Sequence, residues 1–349
     1  MNLADLNKVA LAMVAPGKGL LAADESSGTI RKRFDAINVA STEESRRDYR
    51  EMLFRTTEAM TQCISGVILY DETIWQDAKD GTPLIRLIEQ AGAIPGIKVD
   101  EGTQALPGCP GELVTAGLDN LAGRLKKYYD RGARFAKWRA VIDIGAGYGT
   151  GGRKIPTMTA IHVNAHALAR YAALCQAAQI VPIVEPEVLM DGDHDIDRCY
   201  EVTQRVLNKT FQELRIQRVA LEGMVLKPNM VVPGKKSASQ SPVEEVAEKT
   251  IRLLKACVPA AVPGIAFLSG GQSDEDATAH LDAMNRIGNL PWRLTFSYGR
   301  ALQAAPQKAW LGKAENVAAG QRAFDHRARM NSLASKGEWK PDLEAKKAG

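Results

Sequence analysis

The stretch Gly-Met-Val-Leu-Lys-Pro-Asn-Met-Val-Val, residues 223–232, is an apolar run that predicts a short buried strand, and Lys227 and Pro228 interrupt it. Proline removes a backbone donor and ends a strand ladder, so we expect Lys227 at the C-terminal tip of its strand, where parallel α/β folds carry their chemistry. Burial disfavours the ammonium form of a lysine, and a neutral ε-amine attacks carbonyl carbons. The sequence therefore predicts a lysine that forms a Schiff base. An ion-paired or solvent-reaching lysine is the structural alternative.

Similar apolar runs recur along the chain, and each is accompanied by a polar residue and followed by a segment of helical period. The eight runs are residues 19–23, 66–70, 95–99, 135–144, 180–184, 223–226, 264–268 and 294–297. Their polar residues are spaced by roughly 27 to 48 positions, the length of a βα unit. This pattern predicts an α/β fold of one domain, a (β/α)8 TIM barrel over residues 1–334, with a polar and mobile C-terminal tail over residues 335–349.

A doubly wound open sheet is the competing architecture, because it also alternates strands and helices. No Gly-x-Gly-x-x-Gly follows the first predicted strand, and no composition shift marks a second domain. The barrel is therefore favoured over the open sheet.

Composition excludes several classes of protein. Of the 349 residues, 45% are hydrophobic and 25% charged, as in an ordinary globular enzyme. The net charge of +4, from 45 basic and 41 acidic residues, is too balanced for a nucleic-acid-binding protein. Five separated cysteines and five histidines predict neither disulfides nor a metal site. The N-terminal segment lacks a basic region and a long apolar span, so we expect a cytoplasmic protein without a membrane segment.

The predicted barrel brings the polar residues at its strand ends into one mouth. Glu185-Pro186-Glu187 places two carboxylates on the same side of an extended segment, an arrangement that suits proton transfer; a salt-bridged pair is the alternative. A second ammonium would also disfavour protonation of the buried lysine. The charged residues expected at the mouth are Asp24, Lys98, Lys137, Glu185, Glu187 and Lys227.

Two glycine-containing turns follow the seventh and eighth predicted strands, where such barrels often bind phosphate through backbone N–H groups and a helix N-terminus. They are Ser269-Gly270-Gly271-Gln272-Ser273 and Ser297-Tyr298-Gly299-Arg300. An insertion after the first strand is rich in hydroxyls and cations and contains Ser26, Thr29 and Arg33. Together with Lys98, these residues predict a second anion site across the mouth. The implied ligand is a bisphosphate with a carbonyl between its ends.

Seven motifs together resemble class I fructose-bisphosphate aldolase, in the order of that family and over nearly the whole chain. They are Leu21-Ala-Ala-Asp-Glu-Ser-Ser-Gly-Thr-Ile, Gly96-Ile-Lys-Val-Asp, Phe135-Ala-Lys-Trp-Arg, Val181-Pro-Ile-Val-Glu-Pro-Glu, Leu226-Lys-Pro-Asn-Met-Val, Phe267-Leu-Ser-Gly-Gly-Gln-Ser and Thr295-Phe-Ser-Tyr-Gly-Arg.

The resemblance implies reversible cleavage of fructose 1,6-bisphosphate to dihydroxyacetone phosphate and glyceraldehyde 3-phosphate, in glycolysis and gluconeogenesis, without a metal or cofactor. It implies a homotetramer whose partners are phosphorylated ketose and triose substrates. The implied catalytic residues are Lys227 as the Schiff-base lysine, Glu185 as the general acid–base, and Asp24, Lys137 and Glu187 as the network that activates them. The implied substrate-binding residues are Ser269, Gly270, Gly271, Gly299 and Arg300 at the phosphate next to the ketone, Ser26, Thr29, Arg33 and Lys98 toward the other phosphate, and Arg139 in the same pocket.

One departure from the family concerns the C-terminal segment. Many members end in a tyrosine that helps move a proton at the carbon joining the two halves of the substrate, whereas this sequence ends Glu344-Ala-Lys-Lys-Ala-Gly349. We therefore expect another group or water to serve that step, or a slower step. A transaldolase-like Schiff-base transferase and a scaffold protein on the same fold are the alternative functions.

Overall fold

The computed structural model describes residues 2–145 and 155–345, and within them ten strands and thirteen α-helices alternate along the chain. The strands are β1 (Gly19–Ala23), β2 (Ile64–Leu69), β3 (Ile94–Lys98), β4 (Thr103–Ala105), β5 (Leu113–Thr115), β6 (Phe135–Ile142), β7 (Val181–Val188), β8 (Val225–Leu226), β9 (Gly264–Phe267) and β10 (Arg293–Tyr298). Eight of them form a closed barrel of parallel neighbours in the order β1-β10-β9-β8-β7-β6-β3-β2. The predicted TIM barrel is confirmed.

The helices surround this barrel. They are α1 (Leu3–Met13), α2 (Ser27–Asp35), α3 (Glu43–Phe54), α4 (Asp71–Trp75), α5 (Leu84–Gln90), α6 (Leu121–Arg131), α7 (Met158–Ala177), α8 (Ile196–Ile216), α9 (Val243–Cys257), α10 (Asp274–Ile287), α11 (Arg300–Trp310), α12 (Val317–Ala334) and α13 (Asp342–Ala345). Many begin at side-chain caps that the sequence provides. Thr42, for example, forms a reciprocal capping box with Ser45 at the start of α3.

Two apolar layers hold the fold. The larger lies between the outer faces of the strands and the surrounding helices. The smaller fills the barrel interior, where Phe135 and Ile183 pack together with Leu6 and Met13 of α1. Helix α1 therefore closes the N-terminal end of the barrel, and the opposite end is left to form a mouth.

Most barrel strands differ from their predicted limits by one or two residues, and two of the differences bear on the site. β7 was expected to end before Glu185 but continues to Val188, because Pro186 lies opposite Ala140 in a regular parallel register with β6. β8 is shorter than predicted, since residues 221–223 form a 3-10 turn before it. Both carboxylates of Glu185-Pro186-Glu187 thus project from a strand, and a strand positions a side chain more firmly than a loop does.

The antiparallel pair β4 and β5, in the connection after β3, was not expected from the sequence. Its strands are only three residues long and partly exposed, so they lack the apolar run by which the barrel strands are recognised. The pair lies beside β6, where Thr115 Oγ1 donates to the Arg139 carbonyl at 2.7 Å.

The segment after Ala334, whose polar composition predicts a mobile arm, packs against α10 and α12 as far as Glu344. Trp339 is buried, its backbone N–H donates to Asp282 at 2.8 Å, and its indole donates to Glu344 at 3.0 Å. Arg327 of α12 also pairs with Glu344. One buried aromatic ring and one partly buried ion pair hold a segment whose average composition is polar. The last four residues of the predicted tail lie outside the described residues.

Candidate active site

A cavity of about 830 Å³ opens at the C-terminal end of the barrel strands. Every residue that the sequence analysis assigned to the site lies in its wall. They are Asp24, Ser26, Thr29, Arg33, Lys98, Lys137, Arg139, Glu185, Glu187, Lys227, Ser269, Gly270, Gly271, Gly299 and Arg300. The barrel thus brings residues from distant parts of the chain to one space.

Lys227 follows the short strand β8 directly. Its backbone N–H donates to the Val184 carbonyl at 2.8 Å, so the strand pairing with β7 continues through the lysine before Pro228 ends it. Its side chain is buried, and Nζ lies 3.1 Å from Glu185 Oε1. The amine therefore stands at the floor of the cavity beside a carboxylate that can exchange a proton with it.

Lys137 of β6 completes a row of alternating charges. Its Nζ lies 2.6 Å from Asp24 Oδ2 and 3.4 Å from Glu185 Oε2. Burial alone would lower the pKa of Lys137, but the two carboxylates outweigh burial and raise it. Burial likewise favours a higher pKa for Asp24, but the ammonium groups of Lys137 and Lys227 prevail and lower it to about 2. Lys137 is accordingly a fixed cation and Asp24 a fixed anion.

Glu185 differs from Asp24 in how its two oxygens are used. Oε1 contacts Lys227, whereas Oε2 is buried and, although 3.4 Å from Lys137, has no hydrogen-bond partner among the described residues. A buried carboxylate oxygen without a hydrogen bond is costly, and a substrate hydroxyl in the cavity would satisfy it. Glu185 is therefore the carboxylate best placed to exchange protons.

A second charged group lies on the side of the mouth near β3. Glu187 pairs with Arg139 of β6, and Lys98 Nζ lies 2.8 Å from Asp100 Oδ1. The backbone N–H of Arg139 also donates to Asp100 at 3.4 Å. Asp100 therefore binds the Lys98 ammonium group and also contacts β6, the strand that carries Arg139. Lys98 and Arg139 together form one cationic edge of the cavity.

The two glycine-containing turns meet on the opposite edge. Gly270 has a φ of +55°, a conformation that favours glycine, and its turn leads into α10 through the N-cap Ser273. Arg300 Nη2 donates to the carbonyls of Gly270 and Gln272 at 2.7 and 3.1 Å. Arg300 is also the first residue of α11, so a guanidinium and a helix N-terminus both face this edge, as an anion site requires.

The predicted insertion after β1 forms helix α2, with Ser26 as its N-cap. Ser26 Oγ accepts from the Thr29 N–H at 3.4 Å, and the two hydroxyl oxygens lie 3.1 Å apart. Arg33 pairs with buried Glu25, and its Nη2 would lie 3.7 Å from a methyl group placed on Gly299. Arg33 therefore lies close to the glycine turn, whereas the sequence analysis placed it across the mouth with Lys98.

Several residues of the cavity wall were missed by the sequence analysis. They are Asp100, Tyr128, Asp191, Lys235 and Ser297, among others. Ser297, whose buried Oγ lacks a hydrogen-bond partner among the described residues, lies inside the quoted Ser-Tyr-Gly-Arg motif and could have been found there. Asp100 lies two residues after Lys98, inside the quoted Gly-Ile-Lys-Val-Asp motif, and could have been found in the same way. Lys235 lies in a polar loop, and no sequence pattern there indicates a site residue.

No group of three or more His, Cys, Asp or Glu side chains in residues 2–145 and 155–345 is arranged to hold a metal ion. In the same part of the chain no helix is long and apolar enough to cross a bilayer. A parallel eight-stranded barrel with a buried amine beside a carboxylate, in a mouth edged by cations, is the architecture of a TIM-barrel enzyme that acts on anionic substrates.

Comparison with known proteins identifies the family. The family model for class-I fructose-bisphosphate aldolase matches residues 5–349. A probable fructose-bisphosphate aldolase class 1 of Xanthomonas campestris is 56% identical over 341 residues, which are 97% of this chain and all of that protein. The cytosolic fructose-bisphosphate aldolase 6 of Arabidopsis thaliana is 54% identical over 330 residues, covering 94% and 90% of the two chains.

A solved structure agrees with these matches. Fructose-bisphosphate aldolase from Plasmodium falciparum, in a ternary complex with TRAP and a small-molecule inhibitor, superposes with a TM-score of 0.93 at 47% identity, covering 97% of this chain and 96% of that one. The chain belongs to the class I fructose-bisphosphate aldolase family and is a carbon–carbon lyase.

Proposed function

We propose that the protein reversibly cleaves fructose 1,6-bisphosphate to dihydroxyacetone phosphate and glyceraldehyde 3-phosphate through a Schiff base on Lys227, in glycolysis and gluconeogenesis. The observation that carries this proposal is the buried Lys227 Nζ, 3.1 Å from Glu185 Oε1 at the floor of a cation-edged cavity. Family membership supports the substrate and the class of reaction.

The reaction begins when the ammonium group of Lys227 passes a proton to Glu185, and the neutral amine then attacks the ketose carbonyl carbon and gives a carbinolamine. Glu185 donates a proton to the carbinolamine oxygen, which leaves as water, and the resulting iminium draws electrons from the substrate. When the C3–C4 bond breaks, its electron pair forms an enamine on Lys227, and the Glu185 carboxylate accepts the proton of the C4 hydroxyl as glyceraldehyde 3-phosphate leaves. The enamine is then protonated at carbon, and water releases dihydroxyacetone phosphate. No step requires a metal.

The neighbouring charges have distinct roles in this scheme. With a pKa of about 2, Asp24 is too weak a base to be the main proton shuttle, and it instead keeps Lys137 in place as a cation. Lys137 in turn contacts Glu185 and stabilises negative charge that develops near it. Glu187 orients Arg139 toward the cavity through their ion pair.

The two edges of the cavity fit the two phosphates. The Ser269–Gly271 turn, Gly299 and Arg300 supply backbone donors and a guanidinium for the phosphate next to the ketone. Lys98, with the hydroxyls of Ser26 and Thr29, serves the other phosphate. Arg33, whose Nη2 lies near Gly299, also lines the cavity and supplies a further cation for the substrate.

The cellular setting is also a proposal. Relatives from Arabidopsis thaliana and Pisum sativum carry names that place them in the cytosol or cytoplasm, and this supports a cytoplasmic enzyme. The resemblance to the family supports a homotetramer.

Borohydride trapping tests the lysine assignment. Incubation with dihydroxyacetone phosphate and borohydride should attach a reduced three-carbon adduct to the peptide that contains Lys227, as found by peptide mass spectrometry. Lys227→Met should abolish both the adduct and the cleavage of fructose 1,6-bisphosphate. Activity of the unmodified enzyme should be unchanged by excess chelator. An adduct on another lysine, such as Lys137, would refute the assignment.

A further inference from the structure

Lys235, in the loop after β8, lies on the glycine turn that we assign to the phosphate next to the ketone. A methyl group placed on Gly271 would overlap the Lys235 side chain, at 1.6 Å from Cε and 2.3 Å from Nζ. The lysine therefore runs directly across Gly271, and a larger residue than glycine there would displace it. Both residues line the active-site cavity.

The loop that carries Lys235 is fixed to the loop after β7 by backbone hydrogen bonds. The N–H groups of Gly234, Lys235 and Lys236 donate to the carbonyls of His194, Met190 and Gly192 at 2.8, 2.7 and 3.0 Å. Three hydrogen bonds from consecutive residues fix the position of the Lys235 backbone, and this limits the positions that its side chain can occupy. Its position over the turn thus follows from the backbone, although the side chain itself is 40% exposed.

The ammonium group of Lys235 is held by one carboxylate in this structure. Nζ lies 2.7 Å from Asp191 Oδ1, and the Asp191 side chain is 63% exposed. Exposed ion pairs of this kind are weak, so a doubly charged phosphate on the glycine turn would compete successfully for the ammonium. Arg300 already contacts the same turn through the Gly270 carbonyl. Two cations therefore flank Gly270–Gly271, and only Arg300 was expected from the sequence.

We propose that Lys235 is a second cation for the phosphate next to the ketone, and that Asp191 holds its ammonium group until the phosphate arrives. The proposal rests on the proposed function, because it takes Gly270–Gly271 as the phosphate turn. It assigns Lys235 to substrate binding and gives it no part in proton transfer. Removing its charge weakens the ground state and the transition state equally, so KM rises while kcat stays unchanged.

The test compares Lys235→Met with Lys236→Met, a matched control that removes the same charge from the adjacent exposed residue outside the described cavity wall. Fructose 1-phosphate carries only the phosphate next to the ketone. We therefore expect Lys235→Met to raise KM for fructose 1-phosphate and for fructose 1,6-bisphosphate by the same factor, roughly fivefold, as for one charge-assisted contact. The competitive inhibition constant of inorganic phosphate should rise as well. Lys236→Met should match the wild type in all three constants.

Asp191→Asn separates this role from a purely structural ion pair. Without the carboxylate the ammonium is free for phosphate, so KM for fructose 1-phosphate should fall by about twofold, and this gain should vanish when Lys235→Met is added. The proposal is overturned if Lys235→Met equals Lys236→Met, if only the bisphosphate is affected, or if Asp191→Asn raises KM as Lys235→Met does. Arg300→Ala tests whether the Gly270–Gly271 turn binds the phosphate next to the ketone. If this variant has the same KM for fructose 1-phosphate as an active wild type, the phosphate turn is misassigned. The role proposed for Lys235 is then refuted as well.

Discussion

At the scale of single residues, the site is a row of charges in which one carboxylate serves two lysines. Glu185 contacts Lys227 through one oxygen and Lys137 through the other, and Asp24 balances Lys137 from the far side. The two lysines are thereby given different tasks. Lys137 is held as a cation by two anions, whereas Lys227 has one carboxylate partner, and that partner is the group we assign to proton transfer.

Glu185→Gln tests this division of tasks. The amide keeps the size of the side chain but cannot exchange protons, so kcat for fructose 1,6-bisphosphate should fall by about a hundredfold or more. KM should change far less, because the cationic edges of the cavity remain. Steady-state kinetics would measure both constants. A variant that keeps more than a tenth of the wild-type kcat would exclude Glu185 as the proton carrier.

The low pKa of Asp24 predicts a pH dependence of stability. Its pKa falls from 3.8 to about 2 in the folded protein, so the ionised form stabilises the fold. This contribution, about 2 kcal/mol, is complete above pH 4 and is lost as the pH falls from 4 toward 2. The free energy of unfolding in urea should therefore depend on pH more steeply in the wild type than in Asp24→Asn across this range. Equal slopes for the two proteins would contradict the assignment.

At the scale of elements, one helix closes the N-terminal end of the barrel, and the N-termini of two others contribute residues to the site at the opposite end. Helix α1 covers the N-terminal end with Leu6 and Met13, while α2 and α11 begin at the mouth with residues of the candidate site. The closed end needs only apolar volume. The open end uses helix N-termini, whose partial positive charge favours phosphate.

Inside the barrel, the strands leave space for aromatic rings by placing glycine opposite them. A methyl group on Gly96 of β3 would lie 2.2 Å from the buried Phe135 ring, whereas one on Gly123 of α6 would have no described atom within 4 Å. Gly96→Ala should lower the free energy of unfolding by about 2 kcal/mol or more through overpacking. Gly123→Ala should raise it by about 0.5 kcal/mol through helix propensity.

Urea unfolding at one fixed protein concentration would compare these two variants with the wild type. Phe135→Leu in the Gly96→Ala background should recover part of the loss, because the smaller side chain leaves room for the methyl group. If Gly96→Ala were as stable as the wild type, the proposed packing of Phe135 against Gly96 would be refuted.

At the scale of the whole molecule, we expect a homotetramer of this 37.9 kDa chain. Sedimentation velocity at micromolar concentration should give one species with four times the mass of the chain, since oligomers of this kind have closed symmetry. A species of one or two chains that is active at the same concentration would contradict this expectation. Asp24, Lys137, Glu185 and Lys227, to which we assign the chemistry, all line the cavity within one chain.

Much of the fold and of the candidate site could be predicted, because the sequence patterns that indicate them are contiguous in the chain. An apolar run followed by a polar residue indicates a barrel strand and its catalytic end, and the motifs around Lys227, Glu185 and Arg300 are contiguous in the chain. The eight-stranded barrel is confirmed, and the residues assigned to the site line one cavity. The strand limits were less accurate, as β7 shows, because pairing with β6 carries the strand past the apolar run.

The sequence by itself determined the repeating βα units, the class of fold and the chemical types of residue at the mouth, since short-range patterns encode them. Only the tertiary structure decided which charges pair: that Glu185 lies between Lys137 and Lys227, that Trp339 anchors the segment after α12, and that Lys235 crosses Gly271. These contacts join residues that are 36 or more positions apart or lie in polar loops. Their geometry depends on barrel closure and loop packing, which no local pattern specifies.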